Sequence, residues 1–182
     1  RQVIDLLLSD QLPDFECIFL KGNHEVAFLG FMETPEDHLH WLTYGGRATC
    51  ASYGVDIAAA PGGPAMMSWL QEKLNEAVPN HHKEFLAGLP LSHQEGDYFF
   101  AHAGIKPGVP IEEQRAEDLL WIREPFLQSN FDHGQIVVHG HTPEWSPVVR
   151  ANRIGIDTGA CFGGALTALV LDGNSRTFIQ TS

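Results

Sequence analysis

Three short apolar runs in this chain each lead into a metal-competent side chain, asparagine or histidine, set close to a glycine: Phe19-Leu20-Lys21-Gly22-Asn23-His24-Glu25, Phe99-Phe100-Ala101-His102-Ala103-Gly104 and Val137-Val138-His139-Gly140-His141-Thr142. A continuous apolar run of this length makes a strand buried on both faces, which is the signature of a sheet covered by helices. Glycine at a strand end lets the backbone turn sharply and approach a ligand closely. In open α/β sheets the carboxyl ends of neighbouring strands are where side chains converge on a ligand. The repeated pattern therefore predicts an α/β fold with a polar site at one edge of its sheet.

The segments between these runs fit that expectation. Val3, Ile4, Leu7 and Leu8 mark one face of a helix over Arg1 to Ser9, and Cys17 to Leu20 reads as a buried strand. A helix is expected from Val26, a short one from Thr34 to Leu42, and a long loop or cap from Tyr44 to Gly63. Pro64 to Val78 predicts a further helix, with Pro64 in its first turn and Met67, Leu70, Leu74 and Val78 on one face. A helix over His81 to Leu89 follows. Strands are expected at Tyr98 to Ala101, Gln135 to Val138 and Arg153 to Ile156, and a closing hairpin turns at Asp172-Gly173-Asn174. The 182 residues and 20.1 kDa suit one core, and no linker divides them, so a single domain over 1–182 is expected.

Composition narrows the partners. Eleven basic against 23 acidic side chains give a net charge of -12, which opposes nucleic-acid binding. No apolar run approaches the roughly 20 residues of a membrane span. The three cysteines, Cys17, Cys50 and Cys161, form no Cys-x-x-Cys pair and no even framework, so a reducing, cytoplasmic setting is expected. The glycines at 45, 46, 62 and 63 precede no Gly-Lys-Ser/Thr and make no phosphate loop. Of the ten histidines, those at 38, 40, 81, 82, 93 and 133 lack the strand-end setting and read as surface or structural groups. His139, still on its strand, reads as a core or supporting residue.

Gly22-Asn23-His24-Glu25, His102-Ala103-Gly104 and Gly140-His141-Thr142, in this order, together with Asp157-Thr158-Gly159-Ala160 through Gly163-Gly164, resemble the later part of the calcineurin-like metallophosphoesterase superfamily, of the phosphoprotein phosphatase type. The resemblance implies a four-layer α/β/β/α sandwich, N-terminally truncated here, and two divalent ions (Mn, Fe or Zn, with Mn favoured). It implies Asn23, His102 and His141 as ligands of the second ion and His24 as the acid that protonates the leaving oxygen, a role suited to imidazole. It implies Arg123 as a phosphate-gripping group and Asp157 as a carboxylate that orients a ligand imidazole from behind. The implied activity is phosphoester hydrolysis by metal-activated water, as in Ser/Thr protein phosphatases, on a phosphorylated protein or small phosphoester. Glu25 tilts toward that type; a symmetrical dinucleoside tetraphosphate hydrolase and a noncatalytic metal-binding remnant are the alternatives. A nuclease is disfavoured by Pro143, where Gly-His-x-His enzymes carry a second histidine, and by the charge.

The family's two earlier motifs, Gly-Asp-x-His-Gly and Gly-Asp-x-x-Asp-Arg-Gly, do not occur in these residues. Because they supply the first ion's ligands, the bridging carboxylate and a phosphate-binding arginine, the chain is read as the C-terminal portion of a longer domain. As an isolated polypeptide it is expected to bind metal weakly and hydrolyse little.

Overall fold

The computed structural model describes residues 1–9 and 12–182, and the chain forms two compact units. The first, residues 1–19 and 23–89, is helical. Its α-helices are α1 (Gln2–Leu7), α2 (Asn23–Glu33), α3 (Gly46–Ser52), α4 (Ala65–Ala77) and α5 (Asn80–Gly88), with short 3-10 turns at Leu39–Thr43 and Ile57–Ala59. Leu70 and Leu74, one turn apart on α4, are completely buried with Phe31 and Cys50, and Phe28 stacks on Trp41 with ring centroids 5.1 Å apart. The apolar stripe of α4 thus closes over α2, as its spacing requires. Polar groups on the same helix serve the last carbonyls of α2, which have no partner within their own helix. Gln71 Nε2 donates to the Met32 and Glu33 carbonyls at 3.1 and 2.8 Å, and Asn75 Nδ2 donates to Met32 at 3.1 Å. His82 on α5 is fully buried, with the Tyr53 hydroxyl 2.9 Å from Nδ1 and the Asp5 carboxylate 3.1 Å from Nε2.

The second unit, residues 20–22 and 90–182, holds the sheets. Its strands are β1 (Ser92–Glu95), β2 (Tyr98–Ala101), β3 (Ile136–His139), β4 (Val148–Val149), β5 (Arg153–Gly155), β6 (Thr167–Asp172) and β7 (Ser175–Gln180), with one helix, α6 (Ala116–Trp121). Five strands form a mixed sheet in the order β1-β2-β3-β5-β4, and β6 and β7 form a separate hairpin. The central pairs are parallel: Phe100 faces Val138 between β2 and β3, and His139 faces Gly155 between β3 and β5. Parallel alignment brings the carboxyl ends of β2 and β3 together, and with them the residues that leave each strand. Phe99, Ala103, Ile105, Leu119, Phe126 and Val137 form the core beneath. The architecture is mixed α/β.

Three expectations are corrected. Residues 17–20 form no strand: Cys17 and Ile18 are exposed, and Lys21 N–H donates to the Pro90 carbonyl outside any ladder. An apolar run becomes a strand only where a neighbour completes its hydrogen bonds. Residues 44–63 are not loop throughout: Gly45, with φ 95°, turns the chain into α3, which buries Cys50, and a 3-10 turn follows at Ile57–Ala59. Of the 34–42 segment only the part from Leu39 is helical, as a 3-10 turn, and Pro35 to His38 form turns ahead of it.

Candidate metal centre

His102 follows β2 directly and His141 lies two residues beyond β3. Their rings meet edge to face with centroids 5.0 Å apart, and His102 Nε2 stands 3.1 Å from His141 Nδ1. The backbone builds this meeting. Gly140 N–H donates to the His102 carbonyl at 2.9 Å, fastening the two strand ends to each other. Thr142 N–H then donates back to the Gly140 carbonyl at 2.7 Å, closing a three-residue turn around His141. His141 has φ 64°, a positive value found among the described residues at no other residue except glycines. A positive φ at a side-chain-bearing residue is strained and marks a place where the surroundings dictate conformation.

The contact is a hydrogen bond between the two rings, and its length is one that two ligands of a single ion could also have. Two nitrogens each roughly 2.0–2.1 Å from one ion, at angles between octahedral and tetrahedral, stand roughly 2.9–3.4 Å apart, a range that includes the observed 3.1 Å. Among the described residues no group of three His, Cys, Asp or Glu side chains is placed to hold an ion, so imidazoles and carboxylates of these units alone do not complete a site.

The other expected residues fall as follows. Asn23 and His24 belong to the first unit and open α2, which begins three residues before the expected Val26; Asn23 is buried and His24 exposed. Arg123, exposed just beyond α6, donates from Nη1 to the Thr142 hydroxyl at 2.9 Å, which places a guanidinium beside the His141 turn. Five N–H donors belong to that group, and this bond uses one of them. Asp157 Oδ1 accepts from Gly159 N–H at 3.0 Å, forming the turn before the 3-10 segment Ala160–Phe162. The structure therefore brings His102, His141 and Arg123 into one neighbourhood of the second unit, with Asp157 in the turn that follows β5.

Three contributors were not singled out from the sequence. Trp121 sets its ring edge-on to His141, centroids 6.1 Å apart. Phe126, fully buried, lies edge-on to His139 at 5.0 Å and under the Arg153 guanidinium at 5.9 Å. Arg153 itself is buried at 5% exposure, donating from Nη1 to His139 Nε2 at 3.2 Å and from Nη2 to the Leu127 carbonyl at 3.0 Å. A charged residue heading a three-residue apolar-lined strand was the signal available for it. Burial depresses the His139 imidazole to about 4, so that it stays neutral, and the nearby Arg153 charge pushes the same way. Leu127, His139, Glu144, Arg153 and Asp157 help line a cavity of about 40 Å³, room for one water molecule.

No family model matches the chain. Two bacterial proteins named bis(5'-nucleosyl)-tetraphosphatase PrpE, asymmetrical, are similar in sequence. That of Halalkalibacterium halodurans is 28% identical over 140 residues, covering 68% of this chain and 55% of the relative. That of Anoxybacillus flavithermus is 25% identical over 187 residues, covering 92% of this chain and 68% of the relative. The chain thus spans about half the length of the first, 55%. A crystal structure of a protein provisionally assigned as a diadenosine tetraphosphatase superposes with a TM-score of 0.65 at 17% identity, over 98% of this chain and 72% of that one. The fold is shared over nearly the whole chain. The sequence matches make it a distant homologue of PrpE-type proteins, which are members of the calcineurin-like metallophosphoesterase superfamily.

Proposed function

We propose that these residues carry the second-ion half of the centre of a metal-dependent phosphoester hydrolase, acting on dinucleoside polyphosphates. The observation that supports it is the 3.1 Å approach of His102 Nε2 to His141 Nδ1 at the carboxyl ends of two parallel strands. In this reading His102 and His141 hold one of two divalent ions, Asn23 being added as a ligand only by the resemblance of Gly22-Asn23-His24-Glu25 to the family's motif, and imidazole with carboxamide oxygen suits Mn, Fe or Zn, Mn being favoured. Such ions, when bound, neutralise phosphoryl oxygens and acidify water. The protein supplies the rest. Arg123, held at the His141 turn by Thr142, offers further N–H donors to a phosphoryl group. His24 gives a proton to the departing oxygen, and Asp157 steadies the turn after β5. The single-domain, α/β/β/α reading of the chain and its cytoplasmic location, without nucleic-acid partners, belong to the same proposal.

The substrate class follows the names of the relatives, which specify the asymmetrical reaction, so an unequal cut replaces the symmetrical one considered from sequence. A Ser/Thr-type protein phosphatase is the second reading, favoured by Glu25 in Gly22-Asn23-His24-Glu25. Two measurements test the proposal. Calorimetric titration with Mn and Zn should show affinity reduced about tenfold or more by His102→Ala and by His141→Ala. The complete gene product, supplied with Mn, should cleave a dinucleoside tetraphosphate into a nucleoside triphosphate and a nucleoside monophosphate faster than it dephosphorylates a phosphopeptide. The opposite order would favour the second reading. Metal affinity indifferent to both histidines would refute the site.

A further inference from the structure

We propose that Arg153 is a positioning residue for His141, acting through the tautomer of His139. The inference rests on the reading of His141 as a metal ligand. Arg153 Nη1 lies 3.2 Å from His139 Nε2, and a guanidinium can only donate. His139 Nε2 therefore accepts, and the proton of the neutral ring sits on Nδ1. Nδ1 lies 3.1 Å from the Gly140 carbonyl, which it can reach only as a donor. That carbonyl is the same one that accepts Thr142 N–H at 2.7 Å across His141.

Arg153 is itself held. Nη2 donates to the Leu127 carbonyl at 3.0 Å, Phe126 lies beneath the guanidinium, and the residue is 5% exposed. The chain of donation runs from Arg153 to His139 to the Gly140 carbonyl, and it ends on the turn whose central residue has φ 64°. Without Arg153, His139 is free to place its proton on Nε2. Its Nδ1 lone pair would then face the Gly140 carbonyl oxygen, a repulsive contact at the base of the His141 turn. The strain at His141 needs support from its surroundings to persist, and this is the support the structure provides on the β3 side.

The decisive experiment reads the ring nitrogens of His139 by ¹⁵N NMR in the metal-free chain and, in parallel, Zn affinity by titration. In the wild type the signals should show Nδ1–H with an unprotonated Nε2. Arg153→Met should convert the ring wholly or partly to Nε2–H and weaken Zn binding about tenfold, with Arg153→Lys intermediate. His139→Asn keeps an N–H donor near the Gly140 carbonyl whatever stands at 153, so Arg153→Met should have no further effect on Zn affinity in that background. A wild-type ring protonated on Nε2 would overturn the proposal, as would an unchanged tautomer in Arg153→Met or an Arg153→Met effect that persists undiminished in the His139→Asn background. Should Arg153→Met not fold, the wild-type tautomer and the Arg153→Lys titration still decide. A failure of the metal-site reading is separate: it shows as Zn affinity untouched by His141→Ala, while the tautomer measurement continues to report on Arg153.

Discussion

Replacing His141 by alanine and, separately, by glycine isolates the strain at the centre of the site. Both variants lose the imidazole and its contacts with His102 and Trp121, so their difference in stability reports only what the backbone requires. At φ 64° a residue with a Cβ carries a cost of about 1–2 kcal/mol that glycine escapes. Glycine returns about 0.4–1 kcal/mol of this through the greater freedom of its unfolded chain. The Gly variant should therefore be the more stable of the two by about 1 kcal/mol. With a urea dependence of about 2 kcal/mol per molar for a unit of this size, its midpoint should lie about 0.5 M higher. The assay is urea unfolding in the presence of a chelator, followed by exchange of protected sheet amides such as Val137, which donates to the Asn152 carbonyl at 3.0 Å. At an ordinary helical or strand position alanine is the more stable residue. A Gly variant equal to or weaker than the Ala variant would mean that His141 is not strained, and would remove the reason to look for its support.

Two further outcomes follow from burial. Gly104 has φ 144° and a Cβ placed on it would overlap the ring of Phe126, so Gly104→Ala should destabilise the second unit by about 2–4 kcal/mol. Phe126→Ala should relieve part of that penalty, giving a double variant less destabilised than the sum of the singles in urea unfolding. His82 is held below its ordinary value chiefly by burial, although Asp5 pulls the other way. Unfolded, the same ring protonates around pH 6.5, so the unfolded chain binds more protons as pH falls through that value. The stability of the first unit should be complete above pH 6.5 and decline below it. His82→Leu should remove that part of the slope, and an identical pH profile in the variant would show that another group is responsible.

Which elements the sequence made legible depended on whether their signal lay within one segment. The stripe on α4 is written in its own 3.6-residue spacing although the helix it covers, α2, lies about 40 residues earlier, the β6–β7 hairpin around Gly173 pairs residues close in sequence, and both were expected within one or two residues of where they stand. Cys17 to Leu20 has the composition of a buried strand, but a strand is a relation between two segments, and the run itself names no partner. Residues 44–63 looked like loop because Gly, Ala and Ser crowd them, yet Gly45 ends one turn and begins a helix that buries Cys50. Glycine marks a change of direction equally well for a loop and for a helix start.

The site divides along the same line. Histidines beside glycine at strand ends can be read from the sequence, because the residue types and their order already state the chemistry. What the sequence did not disclose is how the pair is held. Arg153 is 14 residues from His139, and it reaches that ring because β3 and β5 run parallel with His139 opposite Gly155. Side chains two residues apart on one strand share a face, so Arg153 and Gly155 share theirs, and the space above the glycine is what admits the guanidinium. A Cβ on Gly155 would stand 3.3 Å from His139 Nε2, within the tight range for a contact, and 3.8 Å from Arg153 Nη1. The glycine thus keeps open the space in which the two residues meet. Gly155→Val, which fills that same space with a branched side chain, should break the Arg153–His139 contact while leaving both side chains present, and the ¹⁵N signals of His139 should then move as they do in Arg153→Met.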